Sequence, residues 1–133
     1  GVHSLSSRHF SDLSGGEKKL VLVERAMAQQ APLMLLDEPS SSLDIHHTTK
    51  LLTLLRNRAK QRSGAILFVT HDINFASALA DRIILLKQGR TIASGPPPEV
   101  MTSKNLEELY ETPVRIITDH DTGKRFFTYQ LDI

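Results

Sequence analysis

Four consecutive apolar residues, Leu33-Met34-Leu35-Leu36, stand between Pro32 and the acidic pair Asp37-Glu38, with Pro39 behind them. A run so short, closed off by proline at each end, has the length of a strand. It does not alternate with polar residues, so it predicts a strand buried on both faces, as in parallel sheets covered by helices. A second run of this kind, Ala65 to Thr70, leads into His71-Asp72. Parallel strands need a long crossover, usually helical, and the residues between the two runs supply one. Asp44 is placed to cap a helix running to about Arg62, with Leu51, Leu52, Leu55 and Ala59 as its apolar stripe and Gly64 ending the turn. This arrangement selects an α/β fold.

The remaining segments fit around that unit. Residues 1 to 12 are a polar lead-in. Ser14 with Glu17 three places on is a capping-box pattern. It predicts a helix to about Gln29 with Leu20, Val21, Val23 and Met27 facing inward, stopped by Ala31-Pro32. Asp72 is placed to cap a third helix to about Ala80. Arg82 to Lys87 and Arg90 to Ser94 read as a hairpin around Gln88-Gly89, after which Gly95 and Pro96-Pro97-Pro98 break the pattern. Short helices fit Pro98 to Met101 and Lys104 to Tyr110. A closing hairpin, Val114 to Thr118 and Arg125 to Gln130, turns around Asp121-Thr122-Gly123. The expected class is α/β, parallel strands with flanking helices plus antiparallel hairpins. At 133 residues the chain is long enough for one small domain and not two. With five Phe, two Tyr and no Trp, its core must be largely aliphatic.

Composition excludes several functions. There are 16 basic and 15 acidic residues spread along the chain, and no basic block suits nucleic acid or an anionic membrane surface. The absence of Cys excludes disulfides and thiolate chemistry, and it fits a reducing compartment. No apolar run approaches the roughly 18 residues of a membrane span, and the first residues show no signal-peptide pattern. Gly1 in place of Met suggests a processed or partial chain.

Three segments carry chemistry. In Ser14-Gly15-Gly16-Glu17, glycines at a helix start allow a ligand close to the backbone, and the free N–H groups and helix dipole favour an anion such as phosphate. Taken alone, the segment is more often an ordinary capped helix. Asp37-Glu38 ends an apolar strand, so its carboxylates stand at the carboxyl edge of a parallel sheet, where α/β proteins bind ligands. There an Asp serves Mg²⁺ in nucleotide hydrolases, and a neighbouring carboxylate can orient or deprotonate water. The alternative is a strand ending in a polar loop. His71 in Thr70-His71-Asp72 can donate to a phosphate oxygen, although a lone histidine is usually a surface residue, and Asp72 reads better as a cap. His46 and His47 are adjacent, without metal-ligand spacing, and read as solvated. His3, His9 and His120 form no cluster, so no protein-held transition metal is expected.

Taken together and in order, Leu13-Ser14-Gly15-Gly16-Glu17, a helix, Leu35-Leu36-Asp37-Glu38-Pro39, Ser42-Leu43-Asp44 and Thr70-His71-Asp72 resemble the ABC-transporter ATPase family from its signature motif onward. The resemblance covers nearly the whole chain and implies the carboxy-terminal part of a P-loop NTPase domain, residues 1–133, with 112–133 as a hairpin extension. It implies that Ser14, Gly15 and Gly16 close over the γ-phosphate of an ATP held by the opposite subunit, with Glu17 where the family often has Gln. It makes Asp37 the Mg²⁺-supporting aspartate, acting through water, and Glu38 the base that polarises the attacking water. It puts Asp44 in the loop that crosses the dimer interface and makes His71 the switch histidine on the γ-phosphate. The implied cofactors are ATP and Mg²⁺. The implied partners are a second ATPase subunit and membrane permease subunits, and the implied location is the cytoplasmic face of the cell membrane, held there by the permease. Two departures stand out. Lys19-Leu20 replaces a common Gln-Arg pair, and Glu24 sits where a small residue is usual.

The phosphate-binding loop Gly-x-x-x-x-Gly-Lys-Ser/Thr is missing. The one Gly-Lys, Gly123-Lys124, is followed by Arg125, and Thr118 stands where the first Gly belongs. The family's glutamine switch loop and adenine-stacking aromatic also precede the signature. Negligible ATP affinity is therefore expected of these residues alone, and their apolar strand faces predict an oligomeric or strand-swapped chain. The segment Gly95-Pro96-Pro97-Pro98-Glu99-Val100-Met101 with Asn105 to Tyr110 looks like the tail of importer ATPases for iron-siderophore, haem or vitamin B12 complexes. Two other readings stay open: a truncated non-hydrolytic remnant or dimerising module, and a soluble ABC ATPase outside transport.

Overall fold

A computed structural model of the chain describes residues 6–61, 64–121 and 124–130. His3, Arg62 and the turn residues Thr122 and Gly123 lie outside them. The chain divides into two compact units, residues 1–72 and 73–133.

Among the described residues, the first unit begins with a 3-10 turn, Phe10–Asp12, and the helix α1, Gly15–Ala28. Both halves of the capping box are made. Ser14 Oγ accepts from Glu17 N at 3.2 Å, and the Glu17 carboxylate accepts from Ser14 N at 2.8 Å. Strand β1, Leu33–Asp37, helix α2, Ile45–Lys60, and strand β2, Ala65–Val69, then form the expected parallel crossover, with Leu33 opposite Ala65 and Asp37 opposite Val69. Leu51 and Leu55 on α2 are fully buried, as are most of Leu20 and Val23 on α1. Val21 and Met27 are half-buried, whereas Ala59, expected on the inner stripe, is exposed.

The two strands depart from the expectation of burial on both faces. Met34 is 7% exposed but Leu35 is 66% exposed, and Leu33, Leu67 and Val69 stand open beside Leu35. Successive strand residues face opposite sides, so the odd-numbered positions share one uncovered apolar face. This sheet has only two strands among the described residues.

The second unit holds the helix α3, Ile73–Leu79, the hairpin β3, Ile83–Lys87, with β4, Arg90–Gly95, the short helices α4, Pro97–Val100, and α5, Ser103–Tyr110, and the hairpin β5, Val114–Thr118, with β6, Arg125–Tyr129. The first hairpin turns at Gln88 and Gly89, with φ of 49° and 76°. Positive φ at both central residues suits the right-handed twist of paired strands. Ile83 and Leu85 point inward and join Val100, Met101, Leu106 and Phe127 in one core. Ile84 and Leu86 point to solvent, and the register slips after Leu85. Asn74 fastens the closing hairpin to α3: its amide donates to Phe127 O at 3.0 Å and accepts from Phe127 N at 2.9 Å. Among the described residues, no helix is long and apolar enough to cross a membrane.

Candidate functional site

The carboxyl end of β1 is where the first unit gathers its polar groups. Asp37 is exposed at the last strand position. Glu38 follows with φ of 45°, a left-handed conformation that is uncommon for a residue with a Cβ. Its N–H continues the ladder by donating to Val69 O at 2.9 Å. Its carboxylate turns toward the end of β2, where it accepts from His71 N at 3.1 Å and from Thr70 Oγ1 at 3.4 Å, and lies 2.9 Å from His71 Nδ1. Thr70 Oγ1 in turn accepts from Asp72 N at 3.0 Å. The two parallel strands thus end in one polar cluster, which brings Glu38 and His71 together.

Each member of that pair shifts the other. The hydrogen bond with Glu38, and then its negative charge, pull the His71 imidazole above its ordinary 6.5, with Asp72 adding to the effect and partial desolvation opposing it. The hydrogen bond from the His71 side chain, its positive charge and further hydrogen bonds hold Glu38 below its ordinary 4.5 against partial desolvation. Because His71 is raised, its share of the contact is full below about pH 6.5 and is lost as pH rises through the raised value. Because Glu38 is lowered, its share is full above about pH 4.5 and is lost as pH falls through the lowered value. The pair is therefore tightest from about pH 4.5 to 6.5. In an NMR titration, His71 should have its midpoint above 6.5, and Glu38→Gln should bring it back toward that value. A midpoint at or below 6.5 in the unsubstituted chain would mean that the pair does not form in solution. The His71 side chain is 79% exposed, so a ligand can reach it.

The start of α1 offers a different surface. Of the first-turn donors, Glu17 N–H goes to Ser14 Oγ and Lys18 N–H to Ser14 O. Among the described residues, those of Gly15 and Gly16 meet no hydrogen-bond acceptor and stand at the positive end of the helix dipole. Arg8 pairs with the Glu17 carboxylate at 3.1 Å. That carboxylate sits below its ordinary 4.5, chiefly through the backbone hydrogen bond from Ser14. A Cβ at Gly15 would meet nothing, but one at Gly16 would lie 2.7 Å from the His47 ring. His47 is therefore not the solvated histidine expected from sequence: its side chain is 18% exposed, and Nδ1 lies 2.8 Å from Asp44 Oδ1. Asp44 caps α2 by accepting from His47 N at 2.8 Å as well. That backbone bond is the main reason its carboxyl lies below the ordinary range.

Sequence reasoning missed three participants: Lys19, the Thr70 hydroxyl and His47. Only Lys19 left a signal, as a departure from a common pattern. Among the described residues, no three His, Cys, Asp or Glu side chains converge as a metal centre. The exposed Asp37 carboxylate could take one position on a Mg²⁺ ion, which keeps water and takes further oxygens from phosphates.

The family model described as "AAA domain, putative AbiEii toxin, Type IV TA system" matches residues 5–77. The hemin import ATP-binding protein HmuV of Streptomyces coelicolor is 45% identical over 122 residues, covering 92% of this chain and 43% of the relative. The cobalamin import ATP-binding protein BtuD of Halobacterium salinarum is 36% identical over 123 residues, covering 92% of this chain and 31% of the relative. The chain thus spans less than half the length of either relative. A solved structure of "a putative metal-chelate type ABC transporter" in an inward-facing conformation superposes with a TM-score of 0.86 at 31% identity, over 97% of this chain and 52% of that one. The chain belongs to the family of ABC-transporter ATP-binding subunits.

Proposed function

We propose that these residues supply half of a composite ATP-hydrolysing site in the energy-coupling subunit of an ABC importer. The observation that carries this reading is the pairing of Glu38 with His71 where two parallel strands end, beside an exposed Asp37. Glu38 orients and polarises the attacking water, with the ionised state assured at neutral pH by its lowered pKa. His71 is the switch: its exposed ring leaves the carboxylate for a phosphate oxygen, which frees Glu38 to accept from water. Asp37 supports Mg²⁺ through water. ATP with Mg²⁺ supplies the phosphoryl group, whose transfer depends chiefly on positioning and electrostatics. Ser14, Gly15, Gly16 and Glu17 form the surface offered to the nucleotide of a second subunit, and Asp44 stands in the loop between the two subunits.

The partners are a second ATPase subunit and a membrane permease, which holds the assembly at the inner face of the cell membrane. The cargo class is haem, cobalamin or iron-siderophore, in line with the hemin and cobalamin import proteins among the relatives and with the tail from Gly95 to Tyr110. The sequence contains no phosphate-binding loop, so the grip on a subunit's own ATP must come from residues outside these 133. Calorimetry with Mg-ATP tests this division of labour. The chain alone should give no micromolar binding, whereas a full-length subunit carrying this segment should bind at micromolar concentration and turn ATP over. Micromolar binding by the chain alone, or no turnover by the full-length subunit, would overturn the proposal.

A further inference from the structure

Lys19 lies on α1, one turn in from the signature glycines, and reaches across to the loop after β1. Its ammonium donates to Glu38 O at 2.6 Å, Ser41 O at 3.0 Å and Ser41 Oγ at 2.8 Å. A lysine ammonium has three donors, and here all three meet oxygen. The side chain is half-buried, so this is an ordered contact rather than a solvated charge. The same Glu38 carbonyl accepts from Ser41 N at 3.2 Å and Ser41 Oγ at 2.9 Å. The backbone of Glu38 is thus held at both ends, its N–H on Val69 and its carbonyl under a cation, while its φ stands at 45°. Such a conformation persists in a residue with a Cβ only where the surroundings over-determine it. The backbone angles at Glu38 set the direction in which its carboxylate leaves the chain.

We propose that Lys19 is a positioning residue for Glu38, fixing the left-handed turn that aims the carboxylate and tying it to the helix that begins at Ser14. The proposal rests on the reading of Glu38 as the base. It adds a mechanical link: a shift of α1, whose first turn faces the partner's nucleotide in that reading, is passed to the base of its own site through one ammonium group. Lys19 stands where the family commonly has Gln, whose amide brings two donors and no charge.

Two measurements on Lys19→Met test the link. In the present chain, hydrogen exchange at the Ser41 amide should rise about tenfold, while the amides within α1 keep their protection. In a full-length subunit carrying this segment, kcat should fall about 10- to 100-fold with KM for ATP within about twofold, because a small misplacement of a catalytic group costs rate rather than binding. Lys19→Gln should recover most of the lost rate, a rescue that general loosening of the fold would not produce. Unchanged exchange at Ser41 overturns the proposal. So does kcat within about twofold of the unsubstituted subunit when Glu38→Gln is inactive. Turnover by Glu38→Gln would instead overturn the base assignment, and the exchange measurement would still judge the tether. If Lys19→Met does not fold, Ser41→Ala takes its place: it removes one acceptor from the ammonium and one donor to Glu38 O. Several-fold slower turnover supports the link, and an unchanged rate overturns it.

Discussion

Glu38→Gln in a full-length subunit should lower ATP turnover by about 10²- to 10⁴-fold, the usual worth of a positioned general base. The substitution keeps the length and the Cβ, so it leaves the φ of 45° and the backbone contacts with Val69, Lys19 and Ser41 in place. The amide oxygen can still accept from His71 N, which donates to the carboxylate at 3.1 Å. Only the charge and the ability to take a proton from water are lost. Nucleotide affinity should stay near that of the unsubstituted subunit, and nucleotide-bound dimers should accumulate because they form but do not turn over. Single-turnover kinetics alongside size-exclusion chromatography in Mg-ATP would read both effects. Normal hydrolysis by this variant would remove Glu38 from the role of base, whatever its geometry with His71.

Leu106→Ala should strongly destabilise the second unit, at about 2–5 kcal/mol. Leu106 on α5 is fully buried in the core that holds Ile83, Leu85 and Phe127. Truncating it loses the transfer free energy of three carbons and leaves a void. The rigid neighbours are the antiparallel hairpins, which cannot close over the void without disturbing their registers. Total stabilities are about 5–15 kcal/mol, so the loss would be a large fraction of what holds the unit together. Urea unfolding followed by circular dichroism measures it directly, with Ile84→Ala as the contrast. Ile84 is adjacent in β3 to inward-facing residues but is itself 58% exposed, and should cost less than about 0.5 kcal/mol. Equal midpoints for the two variants would mean that this core is not formed.

Much of the layout was legible because the local signals agreed with one another. Ser14 and Glu17 announce a helix start, and the structure closes the capping box on both sides. Leu33 to Asp37 and Ala65 to Val69 pair in parallel, as their common apolar character implies. Gln88-Gly89 turns the hairpin as expected. The errors have a physical pattern as well. An apolar run indicates that a strand prefers burial, but not whether covering residues belong to the same stretch of chain, so Leu35 and Val69 were assigned to an interior they do not occupy here. Helical periodicity placed Ala59 on the inner stripe, but near the end of α2 that stripe runs out into solvent. Of the proposed site, Asp37, Glu38 and His71 were candidates from the sequence because each follows an apolar run at a strand end. The contacts of Lys19 and of the Thr70 hydroxyl with Glu38, and of the His47 ring with Gly16, join residues far apart in sequence that no spacing rule encodes.

The ring of His47 above Gly16 makes these two positions share a single volume. An added methyl at position 16 would fall 2.7 Å from the imidazole, and the imidazole is held by Asp44. Bulk at the head of α1 can therefore grow only where bulk at the head of α2 shrinks, and displacing the ring also changes what Asp44 binds. In homologous chains the two positions should drift together: a larger residue at 16 should be accompanied by a smaller one at 47. The shape of the first helix's mouth and the cap of the second are, sterically, one inherited trait.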